Sequence, residues 1–192
     1  MKKMLLFVAL SFFTLTSVNA QEKTKEELKA EREQLKSEQK SDEYKDRQKK
    51  LQDLADEAPS SVGVSSIDNL AKNSTNSLTS TMATNKLLPE LYKRTIGDPV
   101  DGVTDVTVKK PTPEELLQVS ANIATTTLSV AGSGKDIIAA QGDVKSAGLK
   151  AGKAAKSVNY SKDVNTLLAS ELKYQGKLIN NLIATLKSAN NK

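Results

Sequence analysis

Val164, Leu168, Leu172, Ile179, Leu182, Ile183 and Leu186 recur at three- and four-residue spacing through an otherwise polar run. That period is the signature of an amphipathic helix and predicts one over about 162–187, with Ser161 as its cap. In heptad terms Leu172, Ile179 and Leu186 share one core position, while Leu168, Gln175 and Leu182 share the other. This is the strongest core helix in the chain.

A second stripe of Ile67, Leu70, Ala71, Leu78 and Met82 predicts a helix from a Ser66 cap to Leu88. Pro89 lacks an N–H and is expected to break or kink it, with Glu90 to Lys93 adding a last turn. Thr112-Pro113-Glu114-Glu115 places Thr at the N-cap, Pro at the first position and Glu at the third, a capping box that opens a helix. Leu116, Leu117, Ile123, Ala124 and Ala131 then mark one face until Gly132 or Gly134 stops it.

A further helix is expected over 135–158. It gathers Ile137, Ala140, Val144, Ala147, Ala151, Ala155 and Val158 on one side, with Gly148 and Gly152 at its edge, and spreads Lys145, Lys150, Lys153 and Lys156 over the other. Residues 97–112 hold two glycines and two prolines and read as a loop, with room for a short strand at Val106 and Val108.

Residues 21–58 are different. Charged side chains dominate, and the bulky apolar positions are only Leu28, Leu35, Tyr44, Leu51 and Leu54. Leu28 to Leu35 and Tyr44 to Leu51 are each one heptad apart, but the phase slips between Leu35 and Tyr44. Such a stripe predicts a long solvated helix, or a partly disordered arm, that ends by Pro59 and either packs along the rest or projects from it. Residues 59–65 follow as a hinge-like linker. The fold class expected is all-α: an antiparallel bundle of about four helices over 59–192, preceded by the charged N-terminal helix.

Composition narrows the chemistry. The 192 residues include no His, Cys or Trp. That removes Ser–His–Asp and Cys–His sites, zinc sites built on His or Cys, and disulfides. All three Phe (Phe7, Phe12, Phe13) lie in the first 20 residues. There Met1-Lys2-Lys3-Met4 precedes an apolar stretch from Leu5 to Leu15 and a small-residue site at Val18-Asn19-Ala20. This is the layout of a cleaved signal peptide, with cleavage before Gln21, and it predicts a bacterial protein exported to the periplasm or beyond. With no Cys at that site, the export is not a lipoprotein.

The remaining chemistry is carboxylate, amine, guanidinium, phenol and hydroxyl. Gly132-Ser133-Gly134-Lys135-Asp136 resembles a phosphate loop only in part, because Ser129 and Asp136 stand where Gly and Ser/Thr are required; it is read as a helix-to-helix turn. Asp98, Asp101 and Asp105 lack the alternate spacing of a calcium loop and read as turn residues. Adjacent acids at Glu26–Glu27 and Glu114–Glu115 point about 100° apart on a helix and do not face each other. No residue is therefore assigned a catalytic, cofactor-binding or metal-ligating role.

The formal net charge is +5, but scattered tyrosines offer no stacking platform for nucleic acid. The expected function is that of a non-enzymatic, exported helical protein of structural or interaction type. It would meet a protein partner along the charged arm or in a groove, or self-associate through the N-terminal helix. The alternatives are a periplasmic holdase-like chaperone, and a membrane-active (lipid-binding or pore-forming) protein whose 135–158 helix lies on anionic lipid.

Overall fold

The computed structural model describes residues 23–97 and 109–190. They form five α-helices: α1 (Lys25–Lys40), α2 (Asp42–Asp56), α3 (Ser65–Ile96), α4 (Pro113–Asp143) and α5 (Ala151–Asn190). A 3₁₀ segment, Val144–Lys150, joins the last two. The leader at 1–20, the acids Asp98, Asp101 and Asp105, and the short strand at Val106 and Val108 lie outside the described residues.

Hydrogen bonds between helices set the topology. Arg94 of α3 holds Glu115 of α4 through two 3.0 Å bonds, Ser80 meets Thr126, and Ser66 donates to Asp143, so α4 descends as α3 rises. Asn165 of α5 donates to Ser74, and Gln175 donates to Thr81 O and Asn85 Oδ1, so α5 runs parallel to α3. In the arm, Leu28 O accepts from Asn181 and Arg47 donates to Glu171, so α1–α2 runs antiparallel to α5. The result is an all-α antiparallel bundle of four rods, with α1–α2 a single broken rod.

The break in that rod accounts for the slip in its stripe. Ser41 adopts an extended backbone (φ −65°, ψ 151°), ends α1, and accepts from Tyr44 N to cap α2. Across this step the two heptads come back into line, and Leu28, Leu35 and Leu51 are all buried. A stripe expected to be too thin for a core helix therefore reaches the core, because α1 and α2 lie flat along α5 and need one Leu per two turns. Thr24 and Glu27 form a capping box at the start of α1.

Several boundaries differ from the expectation. Ser66 does not cap α3: the helix starts at Ser65 and the Ser66 hydroxyl donates instead to Asp143. Nor does Pro89 end it. The helix runs on to Ile96 and closes on Gly97 in the left-handed region (φ 68°). Leu88 and Leu91, buried on either side of the proline, supply the packing that outweighs one missing backbone bond. Likewise α4 passes straight through Gly132 and Gly134 to Asp143.

The helix expected over 135–158 is not one helix. Gly148, at φ 54° and ψ −122°, breaks the path, and the chain turns back between α4 and α5. Ala140 and Val158 of the expected face pack across this corner with Val62, Ile67 and Leu70, but the turn at Gly148 resets the phase, so Ala154 is buried there in place of Ala151 and Ala155. Ser161, expected as a cap, is buried mid-helix and returns its hydroxyl bond to Ser157 O. The α5 stripe holds as read: Val164, Leu168, Leu172, Ile179, Leu182 and Leu186 are buried in the main core.

The linker is fixed rather than hinge-like. Asp68 accepts from Val62 N (2.8 Å), Gly63 N (3.0 Å) and Ser61 Oγ (2.6 Å), pinning the turn that enters α3. These bonds, led by that from Ser61, hold the Asp68 carboxyl below its ordinary range.

Candidate functional site

The acid pairs have structural roles. Glu27 and Glu115 are the third residues of their capping boxes, and Glu115 is also held by Arg94. The Arg94 bonds and the Thr112 backbone draw the Glu115 carboxyl below its ordinary range. Glu26 and Glu114 face solvent. Gly132 to Asp136 form neither a phosphate loop nor the expected turn, since all five lie within α4. Among the described residues no group of three or more acids is placed to hold a metal ion. No described helix is long and apolar enough to cross a membrane.

Two features were not singled out from the pattern. The first is a buried polar seam where α2 sits on α3 and α5. Glu171 has 0 % exposure and accepts from Arg47 Nε at 2.8 Å, with Glu38 3.9 Å from the same guanidinium. The Arg47 guanidinium lies over the Tyr44 ring at 5.0 Å, and the Tyr44 and Tyr174 rings are 5.0 Å apart. Gln175 bridges to Thr81 O and Asn85, and Asn85 donates on to Gln48.

Burial, with the Glu171 carboxylate adjacent, pushes the Tyr174 phenol up to about 12 and raises Tyr44 as well. Arg47 Nη2, Gln48 Nε2, Glu171 Oε1 and Gln175 Oε1 are buried without a hydrogen-bond partner. The seam joins the arm to the bundle. Its sequence signal was Gln175 on a core heptad position, a polar residue where the stripe calls for Leu.

The second feature is the outer face of α4. No Asp, Glu, Lys or Arg occurs between Glu115 and Lys135, which is about 30 Å of helix without charge. The inner side of this stretch, Leu116, Val119 and Ile123, packs on α3 and α5. The outer side presents Leu117 and Leu128, 54 % and 71 % exposed, among Ala121, Ala124 and Ala131. The arm, by contrast, turns Leu28, Leu35 and Leu51 inward and, Arg47 apart, keeps most of its charges toward solvent. Single exposed leucines are ordinary; here two share one charge-free stretch of helix.

Between α3 and α4 lies a cleft of about 260 Å³ walled by Ser74, Ser77, Ser129, Ser133 and Asn165. It is smaller than the usual small-molecule site, and Leu70 and Leu128 share its lining with these polar side chains. Compared with known proteins, the chain matches no family model, no curated protein and no solved structure.

Proposed function

We propose that this protein is an exported, non-enzymatic helical bundle that works by association, and that the outer face of α4 is its contact surface. Export rests on the leader-like residues 1–20. The observation that carries the reading is the uncharged stretch between Glu115 and Lys135, with Leu117 and Leu128 exposed on it. A solvated helix usually keeps polar or charged side chains on its outer side. Here the middle of that side is Leu117, Ala121, Ala124 and Leu128, with the uncharged polar Gln118, Thr125 and Ser129 beside it.

The test is a photo-cross-linking residue at Leu128 in the native cells, with one at exposed Lys49 on α2 as reference. Adducts from position 128 and not from 49 support the reading. None at 128, or equal labelling at both, overturns it.

A second reading, contact with a membrane surface, is favoured by the corner between α4 and α5. Leu149 is fully exposed there, flanked by Lys145 and Lys150. Co-sedimentation with anionic vesicles that is lost in Leu149→Ser would establish it; recovery of all the protein in the supernatant would dismiss it.

A further inference from the structure

We infer that the buried seam between α2 and α5 is a binding site for internal water, which carries hydrogen bonds from Arg47 Nη2 and Gln48 Nε2 to Glu171 Oε1 and Gln175 Oε1. The site lies in the joint between arm and bundle and is independent of the α4 surface.

One backbone group sets the amide orientations in the seam. Thr81 O can only accept, so the Gln175 side chain must present Nε2 to it, at 2.9 Å. Gln175 Oε1 is thereby fixed as a free acceptor. Gln175 Nε2 also donates to Asn85 Oδ1 at 2.6 Å, so Asn85 turns its own amide nitrogen to Gln48 Oε1 at 2.9 Å. Gln48 Nε2 is left over as a donor.

The charged end of the seam repeats the pattern. Arg47 Nε gives its N–H to Glu171 Oε2 at 2.8 Å. Arg47 Nη2, on the same edge of the guanidinium, and Glu171 Oε1, on the same carboxylate, stay unpaired. One half of a bidentate pair is made and the other half is open.

The unpaired atoms therefore sort by helix, with both donors on α2 and both acceptors on α5. Arg47 is 7 % exposed, and Glu171 and Gln175 have no exposed surface. Protein interiors pair nearly all such groups. Water suits this set, because each molecule both accepts and donates hydrogen bonds. A cation would face the Arg47 guanidinium, and an anion would face the Glu171 carboxylate.

Packing holds off direct pairing. The Tyr44 ring on α2 and the Tyr174 ring on α5 stack 5.0 Å apart, each within one turn of the charged pair, and keep the two helices at that spacing. The Arg47 guanidinium is seated over the Tyr44 ring, and its Nη2 stands 3.9 Å from Glu38 Oε1, beyond direct bonding. Water held here is trapped between helices, which differs from a wet seam open to bulk solvent.

A crystal structure of the full chain that shows ordered solvent tests the site. Water within about 3 Å of at least one of the α2 donors and one of the α5 acceptors is the expected result. A dry seam, with Nη2 bonded directly to Oε1 or with no density beside these atoms, overturns the inference.

In solution, NMR cross-relaxation should show long-lived water beside the Gln48 side-chain amide. Gln175→Leu puts at this heptad position the residue that the stripe calls for and removes the acceptor. With helical circular dichroism retained, that variant is expected to lose the bound-water signal at Gln48. Persistence of the signal would mean that solvent reaches Gln48 from the surface, and it overturns the site, as does absence of the signal in the unsubstituted protein. Should the variant fail to fold, the crystal structure decides.

Discussion

Arg47 Nε donates to Glu171 Oε2 across 2.8 Å, tying α2 to α5 at a depth where Glu171 has no exposed surface. The pair lies in the seam that also holds the partnerless buried atoms Gln48 Nε2 and Gln175 Oε1. Desolvating two charges offsets most of their attraction, so the pair adds specificity of seating more than net stability. Removing one member is another matter, since the other is left buried and alone.

Arg47→Ala is accordingly expected to cost about 3–5 kcal/mol, a large share of a typical domain's stability. Arg47→Met with Glu171→Leu should be neutral or stabilising, because neither charge is then desolvated. Urea denaturation of the three proteins checks this. A loss below about 1 kcal/mol in the single variant would mean the seam is wet.

Stability should fall on both sides of neutral pH, for opposite reasons. Glu27, Asp68 and Glu115 have folded pKa values below their ordinary ones through hydrogen bonds to backbone and side chains. Glu31 joins them, since bonds from Lys23 and Asn181 outweigh the burial that pushes it up. A depressed folded value means stability present in full above the unfolded pKa and lost as pH falls through the folded one. The urea midpoint should therefore drop below about pH 4.5. A midpoint that holds level or rises on acidification would contradict it.

Tyr44 and Tyr174 are raised, chiefly by burial. Their contribution is present below the ordinary phenol value near 10 and is lost as pH rises toward 12. Tyrosinate absorbance should appear in step with loss of helical circular dichroism. Ionisation of all four tyrosines near pH 10 with the helices intact would count against a buried seam.

Two glycines should respond in opposite directions. Gly134 is helical and open around its Cβ position, so Gly134→Ala should stabilise by about 0.5–1 kcal/mol. Gly148 is equally open but sits at φ 54°, ψ −122°, where a Cβ is strained, so Gly148→Ala should destabilise by about 1 kcal/mol or more. Thermal melts of both variants decide. A gain in Gly148→Ala would mean the corner is one continuous helix.

The candidate surfaces were partly legible. The missing charge between Glu115 and Lys135 is plain in the sequence, but its meaning depends on which side of α4 faces outward. Arg47 and Glu171 sit 124 positions apart, and nothing local to either announces the other. Thr24-Lys25-Glu26-Glu27 is a capping box as readable as Thr112 to Glu115, and its place before a charged run concealed it.

The sequence alone determined the helical class, the buried stripe of α5, the start of α4 and the absence of thiol and imidazole chemistry. Each follows from side-chain identity or from a period that repeats within one helix. Only the tertiary structure decided that the charged arm is a rod of the bundle. The same holds for α3 running through Pro89, α4 running through its glycines, and the chain turning back at Gly148. A proline or glycine costs a helix about 1–3 kcal/mol, and packing a long helix against two neighbours outweighs it. Where a helix ends is thus settled by contacts between residues far apart in the chain.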